Sequence, residues 1–392
     1  MKKVLALLLV IIMLAGIAAC NTPASPNEST STPQPSESIA PPSESASLPP
    51  NTEAPTTRTV TDVWGRTVEI PSTVEGIICL GSGAPRMAAY LDVIDMLVGA
   101  EDSDISAATV SRDYSPVYHE TMKALPSVGA GGGSGNNNGY PEQIITIAPD
   151  VILACFSAEA ADELQKQTGI PVVAVRYIST GLANDTFYAA MRVFAEVVGV
   201  EERCETVLSF IDSCKADMND RTKNIPESEK LKAYTGAVTF NGKHGFAGTY
   251  SKFGPFAVVN ALNVADEVSE EGFYETDFEK IIVWDPDVIF LDPGNMSLVN
   301  DEYVTNPDYF KTVRAVQEGK VYTMPSFNAA GTNISYALMD AYYAGIVLFP
   351  EQFADIDIAE KSAEILTLFL GENIYDAMAE GGLYYGTITL GE

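Results

Sequence analysis

From Val60 the chain alternates apolar and polar residues on both sides of a glycine. The run Val60-Thr61-Asp62-Val63-Trp64-Gly65-Arg66-Thr67-Val68-Glu69-Ile70-Pro71 has the pattern of a β-hairpin. The pattern then changes. Gly76-Ile77-Ile78-Cys79-Leu80 is apolar throughout, Gly81-Ser82-Gly83-Ala84-Pro85 follows, and Arg86 to Leu91 has helical spacing, which predicts strand, glycine loop, helix. Similar apolar runs recur at Val151 to Cys155, Val172 to Val175, Leu231 to Val238 and Val288 to Leu291. Short wholly apolar strands alternating with helices predict parallel sheets covered on both faces. Between the two halves lie two helices. Asn184 and Asp185 cap one that runs to Val198, and Gly199 breaks it. The second runs from Glu201 to Thr222, with Cys204, Val207, Leu208, Ile211, Cys214 and Met218 on one stripe. It is about 33 Å long at 1.5 Å per residue, a connector that resists twisting and hinges only slightly.

The first residues break this grammar. Met1-Lys2-Lys3, an apolar run from Val4 to Leu14, and Ile17-Ala18-Ala19-Cys20 read as an export signal; the run is too short to span roughly 30 Å of hydrocarbon. The last four residues resemble the bacterial lipobox, which implies cleavage before Cys20 and lipidation of its thiol, so that the mature chain is anchored to the membrane. From Asn21 to Thr57 the residues are nearly all Ser, Thr, Pro, Glu, Asn and Ala, the composition of a disordered tether. The division expected is therefore a signal over 1–20, a tether over 21–57, a first α/β lobe over 58–183, connecting helices over 184–226 and a second α/β lobe over 227–392.

Composition agrees with this division and narrows the partners. The chain has 392 residues, 46% hydrophobic and 19% charged, enough for two cores. A net charge of -30 opposes adhesion to nucleic acid or anionic lipid. Cys79 and Cys155 fall in predicted buried strands. Cys204 and Cys214 lie about 15 Å apart on one helix, too far to be bridged, so all four read as packing residues.

The most informative feature is an internal repeat. Pro141-Glu142-Gln143-Ile144-Ile145-Thr146-Ile147-Ala148-Pro149-Asp150-Val151-Ile152-Leu153 parallels Phe278-Glu279-Lys280-Ile281-Ile282-Val283-Trp284-Asp285-Pro286-Asp287-Val288-Ile289-Phe290. Each is a short helix with a carboxylate in its first turn, stopped by a proline that launches a buried strand. Two such segments in equivalent places predict two lobes of like topology.

With these motifs the chain resembles the binding proteins of ABC importers for ferric siderophores, haem and vitamin B12. The resemblance runs from Val60 to the end. It includes Asp92-Val93-Ile94-Asp95-Met96-Leu97-Val98-Gly99, Ala315 to Tyr322 and Leu348-Phe349-Pro350-Glu351-Gln352-Phe353. It implies two Rossmann-like lobes with parallel central sheets joined by a long rigid backbone helix, the class III arrangement. It implies binding without catalysis, an extracytoplasmic monomer that closes on a metal chelate, and no resident cofactor. It implies as partners a permease dimer and its cytoplasmic ATPase, with Glu142 and Glu279 as the docking carboxylates. The plain reading of both glutamates is helix stabilisation through the dipole, and the two roles are compatible.

Ligands of α/β lobes bind at the carboxyl ends of strands, which directs attention to particular loops. In the first lobe these are Ser82 to Arg86, Asp102 to Asp104, Gly129 to Gly139 and Phe156-Ser157; in the second, Phe240 to Tyr250, Phe273-Tyr274, Asp292 to Asn295 and Ser326 to Asn333. The candidate contacts are Ser82, Arg86, Phe156, Phe240, His244, Tyr250, Phe273, Tyr274, Asn295 and Asn328. Arg86 could grip a ligand carboxylate with two parallel bonds, or be an ordinary surface arginine. The aromatic residues could wall a flat ligand, or simply pack. His244 could ligate a metal, or be a polar surface residue. The run Gly131 to Gly139 lacks the Gly-Lys-Ser/Thr ending of a phosphate loop and reads as a rim.

Two rival functions remain. Capture of a bare metal ion would ordinarily use several imidazoles, and His119 and His244 are the only two; an oxygen-rich site for a hard cation or an oxyanion stays open. An exported enzyme is the other, but no Gly-x-Ser-x-Gly or His-Glu-x-x-His motif is present.

Overall fold

The computed structural model describes residues 56–132, 139–177, 181–268 and 270–391. Thr57–Thr61 (β1) and Thr67–Pro71 (β2) form the expected antiparallel hairpin, in register from Thr57 opposite Pro71 to Thr61 opposite Thr67. Asp62 closes its turn: Oδ1 accepts from the backbone N–H of Trp64 and Arg66, and Oδ2 pairs with the Arg66 guanidinium at 2.7 Å.

The first sheet contains Ile77–Leu80 (β3), Leu97–Gly99 (β4), Val151–Ala154 (β5) and Val172–Ala174 (β6), all parallel, in the order β4-β3-β5-β6. Every residue of β3, β5 and β6 is buried, as a sheet covered on both faces requires. Among its described residues the second lobe contains seven strands: Lys232–Gly236 (β7), Gly248–Ser251 (β8), Leu262–Asn263 (β9), Gly272–Glu275 (β10), Val288–Leu291 (β11), Val321–Thr323 (β12) and Gly386–Thr387 (β13). Five of them form a sheet in the order β13-β12-β11-β7-β9, parallel except for β13 at its edge. Without β13, both sheets run second, first, third, fourth in chain order. The repeat seen in the sequence is thus a repeat of topology.

Helices Asp185–Val198 and Glu201–Thr222 lie between the two sheets in the chain. Asn184 caps the first through the Phe187 N–H, and Gly199 ends it at φ 78°, a conformation open to glycine at no steric cost. The stripe expected on the second is buried from Cys204 to Met218. No described helix is long and apolar enough to cross a membrane.

Candidate functional site

In a parallel sheet ordered 2-1-3-4 the strand order reverses between the first and third strands, and the crevice at their carboxyl ends is where ligands settle. In the first lobe that crevice lies after β3 and β5, at Gly81-Ser82 and Cys155-Phe156. In the second it lies after β7 and β11, at Ala237 to Phe240 and Asp292 to Asn295.

The two crevices meet along a buried polar seam. Tyr177, three residues beyond β6, donates its hydroxyl to the Thr332 carbonyl. Its ring lies against Gly83 and Gly331, both at positive φ, where an added Cβ would come within 2.2 Å and 2.9 Å of it. Arg86 crosses the same seam. Its Nε meets Asp113 at 2.8 Å, and its terminal nitrogens donate to the carbonyls of Ala329 and Ala330 and to Oδ1 of Asn333. Asp113 also accepts from the hydroxyls of Tyr90 and Ser335 and from the Tyr114 N–H. Burial opposes the Arg86 charge, and Asp113 together with Tyr177, Tyr90 and Tyr114 more than offsets it, so the guanidinium stays protonated. The donors expected to grip a ligand carboxylate are therefore used inside the protein, Nε on Asp113 and the terminal nitrogens on carbonyl oxygens: Arg86 is 0% exposed and joins the lobes.

Three further expected contacts are also turned inward. The Phe156 ring is buried beside Gly81, and its carbonyl accepts from Nε1 of Trp64. Asn295 is buried, its amide donating to the Ala237 carbonyl, Thr239 Oγ1 and Asp292 Oδ2. These bonds tie β7 to β11, so Asn295 shapes the crevice from beneath. Tyr250 is almost wholly buried, and its hydroxyl accepts from Nδ2 of Asn328 at 3.0 Å. Apolar contact aligns the rings, and the polar bond fixes the depth of Asn328.

Phe240, His244, Phe273 and Tyr274 remain partly exposed. Two of the segments expected as loops contain strands. β8 and β10 pair as an antiparallel ribbon with Phe273 opposite Tyr250 and Tyr274 opposite Thr249. The ribbon escaped the sequence reading because Gly248-Thr249-Tyr250-Ser251 lacks an apolar alternation and its partner is twenty residues away. It assembles an aromatic wall. The Phe240 and Phe273 rings stack at 5.2 Å, His244 lies 4.2 Å from Phe273, and Tyr250 meets both phenylalanines edge-on. Tyr274 points its hydroxyl to the Ala265 carbonyl instead, which anchors the ribbon.

His244 has an acceptor on each side, Glu275 Oε1 at 2.6 Å and the Phe240 carbonyl at 2.8 Å. Both ring nitrogens are thus engaged within the protein, and neither is directed at a metal. His119 is similarly engaged with the Asp104 carbonyl. Among the described residues no group of three or more His, Cys, Asp or Glu side chains is arranged to hold a metal ion.

Below the wall is a recess of about 20 Å³ lined by Thr235, Thr239, Tyr250, Asp292, Ser326 and Asn328 among others. Asp292 accepts from Thr239 Oγ1 and the Gly294 N–H, yet burial raises its carboxyl to about 6. Across the seam Ser82 donates to the Gly132 carbonyl, at the edge of the glycine run whose residues 133–138 lie outside the described residues. Asp102 to Asp104, expected as loop, opens a short helix, Asp102–Ile105. A larger recess, about 770 Å³, lies away from both crevices, among Ala89, Arg203, Phe210 and Thr367.

The four described cysteines are free thiols, three of them buried. Burial raises Cys155 to about 12 and Cys204 and Cys214 to about 11, which leaves them unreactive. Glu142 and Glu279 are both exposed in the first turns of helices Pro141–Ile147 and Phe278–Trp284. Cys20 lies outside the described residues.

Comparison with known proteins agrees with this architecture. The periplasmic binding protein family matches residues 87–327. No curated protein sequence matches significantly. Among solved structures, a periplasmic solute binding protein from Veillonella parvula superposes with a TM-score of 0.64 at 18% identity, covering 83% of this chain and 97% of that one. The molybdate-bound periplasmic binding protein MolA of Haemophilus influenzae gives 0.59 at 19% identity, covering 81% and 98%. CeuE of Helicobacter pylori with Ni(II) bound gives 0.58 at 19% identity, covering 83% and 100%. The chain belongs to the periplasmic binding protein family and is an extracytoplasmic, non-catalytic solute-binding component of an ABC importer with the two-lobed class III fold.

Proposed function

We propose that the protein is a lipid-anchored receptor that captures an iron or other metal chelate, a ferric siderophore, haem or a corrinoid, and delivers it to its importer. The observation that carries this reading is the aromatic wall of Phe240, Phe273 and His244 at the second-lobe crevice. Flat rings at the mouth of a crevice suit a planar ligand. Ser82 and Asn328 supply polar contacts from the two sides of the seam. The lipid on Cys20 holds the receptor at the outer face of the membrane, and the tether over 21–57 gives it reach. Glu142 and Glu279 present the loaded monomer to the permease dimer.

A second reading, a bare metal ion or oxyanion as ligand, draws support from the small recess beside Asp292, which has room for a water-sized species. Molybdate and Ni(II) are bound in two of the similar structures. Calorimetric titration of a soluble Thr57–Glu392 fragment with ferric siderophores, haem, cobalamin, molybdate and Ni(II) separates the two. Tight one-to-one binding of a chelate supports the first reading, and tight binding of only molybdate or Ni(II) replaces it with the second.

A further inference from the structure

The two repeat helices expose more than their glutamates. In helix Pro141–Ile147, Glu142 and Ile145 are three positions apart and both face solvent, Ile145 at 48% exposure. In helix Phe278–Trp284, Glu279 and Val283 are four positions apart and both face solvent, Val283 at 76%. These spacings put each carboxylate and its aliphatic neighbour on one face. A partly exposed tyrosine stands at the start of each helix. Tyr140 caps the first, with its hydroxyl held by Asp102, and Tyr309 stacks at 5.4 Å on Phe278, the first residue of the second. Both helices still bury a core face through Ile144 and through Ile281 and Trp284, so the exposed side chains are not the result of poor packing. Nine large hydrophobic side chains are exposed among the described residues, and Tyr140, Ile145, Val283 and Tyr309 are four of them. Two of them lie on the two short helices and two stand against the helix starts, a concentration that marks a contact surface. Neither glutamate side chain has an ion-pair or hydrogen-bond partner among the described residues, whereas the nearby Glu267 is held by Lys280 and Trp284.

Charge alone does not single out these helices. With 53 acidic residues against 23 basic ones, a basic partner is attracted to much of the surface. Exposed ion pairs steer and orient, but they are screened by salt and contribute little affinity. Burial of an apolar anchor next to the charge supplies what they lack. We propose that Ile145 and Val283 are paired apolar anchors that enter the permease dimer beside Glu142 and Glu279, each subunit offering a basic socket with an apolar rim. The like topology of the two lobes presents a glutamate with an exposed aliphatic side chain about one turn later twice, Ile145 and Val283 standing one position out of register in the repeat, and such a pair of contacts suits a two-fold symmetric partner. The inference rests on the reading of the protein as an importer receptor with docking glutamates.

The test uses the full-length protein and its importer in nanodiscs, with affinity measured at low and high salt. Glutamine keeps helix propensity, so Ile145→Gln with Val283→Gln removes the anchors without unfolding the helices, and circular dichroism melting checks this. The double variant is expected to bind at least about tenfold more weakly, with the salt-resistant part of the affinity lost. Glu142→Lys with Glu279→Lys is expected to abolish binding and uptake. Wild-type affinity in the glutamine variant, with binding abolished in the lysine variant, overturns the anchors and leaves glutamate docking standing. Unchanged binding in the lysine variant, or no binding by the wild type, overturns the docking reading and the anchors with it.

Discussion

Nη2 of Arg86 lies 2.6 Å from Oδ1 of Asn333, joining the first helix after the β3 strand to the residue that opens helix Ile334–Leu348 in the second half of the chain. The same Asn333 donates to the Ser111 carbonyl, and Asp113 gathers Arg86, Tyr90 and Ser335. A buried ion pair with all its remaining groups satisfied positions the lobes more than it stabilises them, because desolvation offsets much of its attraction.

Removing one partner of that pair exposes the cost. Arg86→Met leaves Asp113 buried without its cation and is expected to destabilise the fold by roughly 3–5 kcal/mol. Arg86→Met combined with Asp113→Asn should recover part of the loss. Guanidinium unfolding of the three proteins measures both; equal stability of wild type and single variant would remove Arg86 from the seam.

Glu101 makes stability depend on pH. Burial raises its carboxyl to about 7 even though the Gly81 N–H donates to it and favours the anion. In the unfolded chain the group releases its proton near 4.5. Between those values the folded state holds more protons, so the contribution of Glu101 to stability falls as pH rises from about 4.5 to about 7, by up to about 3 kcal/mol, and then levels off. Glu101→Gln keeps an acceptor for Gly81 and removes the titration. The variant should gain on the wild type across that window in denaturant unfolding; a gap that does not change with pH would contradict the assignment.

Phe273→Ala and His244→Gln are each expected to weaken the ligand found by titration by about tenfold or more. Both residues are partly exposed, so the melting temperature should move little compared with that of Arg86→Met. Unaltered calorimetric affinity in both variants would exclude the aromatic wall as the binding surface.

Lipid attachment can be read directly. Cys20→Ala should abolish the mass added by acylation and move the protein from the membrane fraction to the soluble extracytoplasmic fraction. Retention of the variant in the membrane would refute the anchor.

The sequence by itself determined the parts of this protein that depend on local pattern. The hairpin around Gly65, the wholly apolar strands, the Glu201–Thr222 helix and the repeat around Glu142 and Glu279 all follow from periodicity, capping and proline placement within a few residues. The tertiary structure alone decided which side chains reach the crevice. Arg86, Phe156 and Asn295 stand in the segments where ligands are expected, but Asp113 lies twenty-seven positions beyond Arg86, and Asn333 lies two hundred and forty-seven beyond it. Nothing in the residues near Arg86 announces either partner. The same holds for β8 and β10, whose pairing brings Phe273 against Tyr250 and turns scattered aromatics into a wall. Local propensity acts over a turn or a strand, whereas burial and hydrogen-bond partners are set by contacts between segments distant in the chain, so a residue's position in a loop does not tell which way it faces.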